Sequence, residues 1–287
     1  MNLPLLSLAS GVVPDCTPEQ TAAAAIDGGW SAVGIWVEPA LWTAATAAEV
    51  RSRTNDAGVA VLDVEVVWLK PGADDPDHFR IIDAGAEIGA RNLLVVSSDL
   101  DPQATAAKLA RLATHAAQSE MRVSLEFAAF TEVRNLAAAL AILGSPGCES
   151  IGLLIDPLHF ARTGAFPNDL RAIAPSRFHY AQFCDAAAQG PSAQDVPAIV
   201  EEALDLRLPI CAGGLPLDAL LGMLPENLPL SIELRSKSLR ETYPDPTDRA
   251  RALLQSTRDG LTRLLQPAAL RSSVCTTPAS PRPTLTG

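Results

Sequence analysis

Four consecutive apolar runs, from residue 122 onward, each deliver a side chain that can hold a cation or move a proton. The run Arg122–Phe127 carries Glu126, and Ile151–Asp156 ends in Asp156, with His159 three residues on. The run Phe178–Phe183 carries Gln182, with Asp185 just past it, and Leu228–Leu234 carries Glu233, followed by Arg235. An earlier run, Val59–Trp68, adds Glu65. Carboxylates gathered at one place repel one another and hold protons above their usual range unless a cation joins them. Glu126, Asp156, Gln182 and Glu233 all offer oxygen, which suits a hard divalent ion, Mn²⁺ or Mg²⁺, with Co²⁺ also admissible. A zinc site of sulfur and imidazole needs residues that do not cluster in this sequence. Such an ion polarises a carbonyl, and Glu126, Glu233 and His159 are the groups placed to take and return a proton beside it.

These residues need elements that bring strand ends together. Eight short apolar runs recur along the chain: Leu5–Ser10, Ala32–Val37, Val59–Trp68, Asn92–Ser97, Arg122–Phe127, Ile151–Asp156, Phe178–Phe183 and Leu228–Leu234. Strands that are apolar throughout are those of a parallel sheet covered on both faces. Helical signals lie between them. Thr17-Pro18-Glu19-Gln20 opens a helix that stops at Gly28-Gly29, and Asp101-Pro102 opens another. Helical stretches are also expected over Asp74–Ala90, from Thr131 to near Gly144, over Val196–Leu206 and over Thr247–Leu265. The alternation predicts an α/β fold, a single-domain (β/α)8 TIM barrel over residues 1–266, with a doubly wound open sheet as the competing architecture. In a barrel the active site lies at the C-terminal strand ends, where the acids above fall. Residues 267–287, rich in Ser, Thr and Pro without periodicity, read as a disordered tail.

The composition narrows the function. The 287 residues carry a formal net charge of −11, which argues against nucleic acid and anionic membrane as partners. Hydrophobic residues make up 48% and aromatics only 5%, so a large core must be filled by Ala, Leu, Val and Ile. The five cysteines are scattered and make no CxxC pair, which reads as reduced thiols rather than a disulfide framework. The N-terminal stretch lacks the basic start of a secretory signal, and no apolar run is long enough to span a bilayer. A cytoplasmic enzyme of a small molecule, possible as a homo-oligomer, is the resulting expectation.

With those segments in view, the chain resembles the xylose-isomerase-like TIM-barrel superfamily of sugar isomerases and epimerases, which includes dehydratases of 3-dehydroshikimate-like substrates. The segments that carry the resemblance are Ser124–Phe127 (SLEF), Ile155–Phe160 (IDPLHF), His179–Ala186 (HYAQFCDA) and Leu228–Leu234 (LPLSIEL). It implies that Glu126, Asp156, Gln182 and Glu233 bind one divalent metal. Two features depart from the family pattern. Gln182 stands where many of its epimerases have His, which leans toward the dehydratases, and Cys211–Pro216 is a degraded form of the loop often seen before the last strand.

Around this set, Glu65, Trp68, His159 and Arg235 are candidate substrate contacts, and Trp36 a further pocket wall. Asp185 is expected to hold Gln182 or a neighbouring loop. His179 lies three residues before Gln182, so strand alternation turns it toward the helices in a structural role. His78 and His115 fall within helices away from the rim, and Gly213-Gly214 is too weak a signal for a phosphate cradle. Three functions follow: a metal-dependent isomerase or epimerase of a small sugar-like polyhydroxy carbonyl compound, a metal-dependent dehydratase of a dehydroshikimate- or inosose-like compound using His159 as the acid, and a non-catalytic barrel. The last is disfavoured by the cost of burying several acids together. Deleting residues 267–287 is expected to leave the melting midpoint almost unchanged in a thermal melt; a large drop would show that the tail packs on the barrel.

Overall fold

Each of the eight apolar runs forms a strand in the computed structural model, which describes residues 3–266. The strands are β1 (Leu6–Leu8), β2 (Ala32–Trp36), β3 (Ala60–Leu69), β4 (Asn92–Ser97), β5 (Arg122–Glu126), β6 (Gly152–Leu154), β7 (Ala181–Phe183) and β8 (Leu230–Ile232). All pair in parallel, in the order β6-β5-β4-β3-β2-β1-β8-β7. The result is a nearly closed single-domain (β/α)8 TIM barrel, with β6 and β7 facing each other across the one unpaired seam. The competing open sheet is excluded. The expected tail, 267–287, lies outside the described residues.

Helices follow the strands, and their ends obey local chemistry. In α1 (Pro18–Gly28) Thr17 accepts from the Gln20 amide while Gln20 caps the Thr17 N–H, and Gly29 ends the helix in the left-handed region at φ 84°. The helix α2 (Ala44–Ala57) buries only Ala47, Val50 and Thr54, too sparse a stripe to stand out as a periodic pattern. Asp75 and Asp101 cap α3 (Pro76–Ile88) and α4 (Pro102–Ala116), each with Pro at the start. The helix expected from Thr131 begins later: α5 spans Leu136–Leu143 and is capped by Asn135. Thr131 instead donates to the carbonyls of Ala128 and Val133, closing a turn, because its hydroxyl finds backbone acceptors locally. Asp156 caps the short α6 (Pro157–Arg162). The gap before β8 holds both α7 (Val196–Asp205) and α8 (Leu217–Leu221), and α9 (Lys237–Thr242) and α10 (Pro246–Leu265) follow β8 among the described residues. No helix among the described residues is long and apolar enough to cross a membrane.

The main core lies between sheet and helices, and a smaller apolar cluster of Ala32, Leu62, Leu94, Val96, Leu154 and Tyr180 fills the lumen. The ring of helices is tied to the N-terminal loop by Arg249 of α10. Its buried guanidinium reaches the carbonyls of Val12, Tyr243 and Pro244 and the carboxylate of Asp15. Cys16, Cys148 and Cys184 are free thiols, as the scattered spacing implied.

The β6–β7 seam explains one departure from the sequence reading. His179 does not face the helices. Its Nδ1 lies 3.2 Å from Ser124 Oγ, on the side of β5 that also bears Glu126, and its ring fills the space where a Cβ on Gly152 would sit at 2.6 Å. Residues at an unpaired edge are not bound to strict alternation, so the imidazole turns in to plug the gap. Its role is structural, as expected. Burial, with Arg122 and Arg177 adding repulsion, lowers its pKa to about 4. The native state therefore holds this imidazole neutral where the unfolded chain protonates it, and stability falls as pH drops from the unfolded value near ~6.5 toward 4. His179→Asn should flatten that part of the stability–pH curve relative to wild type in urea melts at stepped pH; parallel curves would show that the site does not resist protonation.

Candidate active site

Five acids reach the C-terminal rim and lumen of the barrel. Glu126 is the last residue of β5, Asp156 follows β6, Glu233 follows β8, and Glu65 and Asp63 lie on β3. All are buried. Gln182, in the middle of β7, stands between two of them. The polar end of its amide lies 2.8 Å from Glu126 Oε1 and 3.1 Å from Glu233 Oε2. With nitrogen turned inward the amide donates to both carboxylates and ties them together; with oxygen turned inward it offers a cation a third donor beside them. A second grouping shares Glu126: ligand atoms of Glu126, Asp156 and His159 lie within 4.8 Å of one another. The donor chemistry thus fits a divalent cation held around Glu126, by oxygens alone or with one imidazole.

The polar surroundings of each acid differ. Asp156 Oδ1 accepts the backbone N–H groups of Leu158 (2.7 Å) and His159 (3.2 Å). Its Oδ2 is bound by Arg207. Burial alone would raise its pKa, but the Arg207 guanidinium and these hydrogen bonds outweigh it and hold the carboxyl below the usual range. Glu233 is clasped from both sides, by Arg235 Nε at 3.0 Å and Arg207 Nη2 at 3.1 Å. Glu126 lacks such a partner. Burial first, then the charges of Asp156 and Glu233, push its carboxyl well above the usual range. Glu65 is raised by burial and by Glu233, although Ser10 donates to it at 2.7 Å. His159 is buried edge-on to Phe130 at 5.3 Å, and burial, reinforced by Arg207, lowers its pKa despite Asp156.

The sequence-derived residues largely converge. Glu126, Asp156 and His159 meet at ligand distance, Gln182 links Glu126 to Glu233, Arg235 is bound to Glu233, and Glu65 on β3 feels the charge of Glu233. Trp68 stands at the edge, its Nε1 donating to Ser98 at 2.8 Å and its ring 6.3 Å from Phe130. Beside the cluster opens a cavity of about 750 Å³, built mainly by the loops after β1 and β2, with Ser10, Gly11, Cys16, Trp36, Trp42 and Arg235 in its wall. Arg235 lies flat against Gly11, where a Cβ would come within 2.5 Å of Nε. Among the expected substrate contacts, Arg235 lines this cavity; Glu65 stands behind Ser10, while Trp68 and His159 lie outside its wall. Asp185 holds a loop rather than Gln182: it accepts from the backbone N–H groups of Ala186, Gly213 and Leu215. Gly213 is needed for that close approach, since a Cβ there would sit 2.1 Å from the Ala186 carbonyl oxygen. His115 is engaged with Asp83 at 2.6 Å, away from the rim as expected.

Three participants were not anticipated. Asp63 is fully buried, neither of its oxygens has a hydrogen-bond partner among the described residues, and burial pushes its pKa well up. Its position two residues before Glu65 on one strand was the available signal. Tyr180, two residues before Gln182, points its unpartnered hydroxyl into the same lumen and feels Asp63, Glu65 and Glu126. The third is Arg207, which no strand-end rule reveals. It follows α7 in a segment inserted between two strand extensions: Leu208 pairs with Asp185, Leu206 with Ser236, and the Arg207 N–H donates to the Arg235 carbonyl.

No protein-family model matches this sequence, and neither does any curated protein. Solved structures do match. A xylose isomerase-like TIM barrel/4-hydroxyphenylpyruvate dioxygenase fusion protein superposes with a TM-score of 0.74 at 19% identity over 93% of this chain, which spans only 46% of that protein. The IOLI protein with a bound zinc atom gives 0.73 at 14% identity, covering 91% of this chain and 99% of that one. D-allulose 3-epimerase from Methylomonas sp., in complex with D-allulose, gives 0.63 at 15% identity over 90% and 96% of the two chains. With its strand order, its acid-bearing strand ends and these superpositions, the chain has the fold of the xylose-isomerase-like TIM barrels.

Proposed function

We propose that the protein is a divalent-metal-dependent isomerase or epimerase of a small, sugar-like polyhydroxy carbonyl compound. The observation that carries this reading is the buried group of Glu126, Asp156 and His159, whose ligand atoms lie within 4.8 Å of one another, with Gln182 linking Glu126 to Glu233 beside it and a cavity next to it. The residues that would hold the ion are Glu126, Asp156, Gln182 and Glu233, with His159 an alternative donor beside Glu126. A bound Mn²⁺, Mg²⁺ or Co²⁺ would supply Lewis-acid polarisation of a carbonyl oxygen. The similarity to a zinc-bound protein and to an epimerase bound to D-allulose supports the same reading.

The chain's own groups divide the proton work. Glu233, held between two guanidinium groups, is assigned the role of base. Glu126, which has no arginine of its own and whose carboxyl pKa is raised by burial in the metal-free chain, is the matching proton carrier. Two carboxyl groups flanking a substrate can take a proton from one carbon and return one at another face or position. Arg235, with Nε committed to Glu233, presents its remaining N–H groups to the cavity and orients substrate oxygens there. Ser10 fixes Glu65 at the same wall. Expulsion of a β-hydroxyl after the same first proton removal is the second reading, favoured by Gln182 in place of the imidazole common in the family's epimerases.

The test is Mn²⁺ binding and turnover with Glu233→Gln. Wild type should bind about one equivalent, and the variant should lose turnover by at least ~10²-fold and bind Mn²⁺ more weakly, with its melting midpoint nearly unchanged. The screen covers ketoses, inososes and dehydroshikimate-like acids, reading isomer ratio and conjugated absorbance together. Isomer formation without water loss supports the first reading, and water loss supports the second. Wild-type turnover and metal content in the variant would overturn the site.

A further inference from the structure

The least expected feature of the site is a fixed cation already inside it. Arg207 is buried to 2% exposure. Its guanidinium is turned wholly into the cluster: Nε donates to the Ala203 carbonyl at 2.8 Å, Nη1 reaches Asp156 and the Cys184 Sγ at 3.4 Å, and Nη2 pairs with Glu233 Oε2 at 3.1 Å and lies 3.5 Å from His159 Nε2. Each guanidinium nitrogen has a protein partner, and the group does not line the cavity. Apart from the helix carbonyl and a thiol, its contacts are residues of the candidate metal site.

We propose that Arg207 is a positioning residue that serves as the resident counter-cation of the acid cluster. It keeps Asp156 and Glu233 assembled in the metal-free chain and competes with the entering divalent ion for them. The inference rests on the metal reading above. Two physical consequences distinguish it from ordinary packing. Like charges buried within a few ångströms repel strongly at low effective dielectric, so a guanidinium beside the site weakens the hold on a divalent ion. The same charge removes the mutual repulsion of Asp156 and Glu233, so the apo site does not need metal to stay folded. The ion that the site takes up is therefore exchangeable rather than structural, and it is held mainly on the Glu126–Gln182 side, away from the Asp156 oxygen that Arg207 occupies.

The test reads Mn²⁺ affinity from the free-ion electron paramagnetic resonance signal, and melting with EDTA or Mn²⁺, for wild type, Arg207→Met, Arg207→Gln and Arg207→Lys. Wild-type melting should be nearly insensitive to EDTA. Arg207→Met and Arg207→Gln should melt lower in EDTA, regain stability with Mn²⁺, and bind Mn²⁺ at least about tenfold more tightly than wild type. Arg207→Lys, which keeps the charge, should stay within about threefold of wild type. If Arg207→Met fails to fold, Arg207→Gln carries the same comparison. Tight binding by the neutral variants with none by wild type would uphold the counter-cation and remove the metal-dependent function. Equal or weaker binding by the neutral variants would overturn the counter-cation and leave the metal reading standing. No Mn²⁺ binding by any of the four would overturn both.

Discussion

Burying several carboxylates within reach of one another is the constraint around which the mouth of this barrel is organised. Glu126, Asp156, Glu233, Glu65 and Asp63 are all buried, and an isolated buried charge of this kind costs several kcal/mol. The chain answers each acid differently. Asp156 is spent on a helix N-terminus and a guanidinium, so it stays ionised. Glu233 is shared by two arginines. Glu126, Glu65 and Asp63 are left with too little compensation and are driven toward their protonated forms. The result is a graded set of carboxyl groups within one cluster, some anionic and some proton-bearing. That is the condition under which a pair of acids can act as base and acid at a single pH.

This arrangement depends on a detour of the chain after β7. Instead of entering one helix that leads to β8, the chain makes α7, returns as Leu206–Leu208 between the extensions of β7 and β8, and only then forms α8. The return is fixed by backbone pairing of Leu208 with Asp185 and by the Asp185 carboxylate, which collects the N–H groups of Gly213 and Leu215. Gly213 belongs to this lock, because a side chain there would collide with the Ala186 carbonyl. The short degraded loop before the last strand is thus a fastening that aims Arg207 inward, not a ligand cradle.

These relations mark what could be read from the sequence and what could not. Strand positions follow from apolar runs, and barrel topology follows from their alternation with helices, so the residues at strand ends, Glu126, Asp156, Gln182 and Glu233, were legible. Arg207 was not, because it belongs to no strand and reaches the rim only through a tertiary pairing of loop backbone. His179 misled through alternation, which holds where a strand is paired on both sides and fails at the β6–β7 seam. Thr131 offered a helix start that a local turn claimed first. Asp63 was within reach of the same alternation that exposed Glu65, yet a lone acid inside an apolar run draws little notice until its burial is seen.

The site also divides along the barrel. The acids that would hold an ion come from β5, β6 and β8, with Gln182 from β7, whereas the cavity beside them is built mainly from the loops after β1 and β2. Ser10 and Arg235 are the hinges between the halves: Ser10 through its bond to Glu65, and Arg235 through its bond to Glu233 on one side and its exposure to the cavity on the other. Trp36 and Trp42 wall that cavity, Trp42 donating to Glu87 outside the acid cluster and Trp36 pairing in register with Glu65 of β3. Arg235 is different. It lines the cavity and holds Glu233 at 3.0 Å, so on the proposed reading a change there would disturb the cavity wall and the acid cluster together.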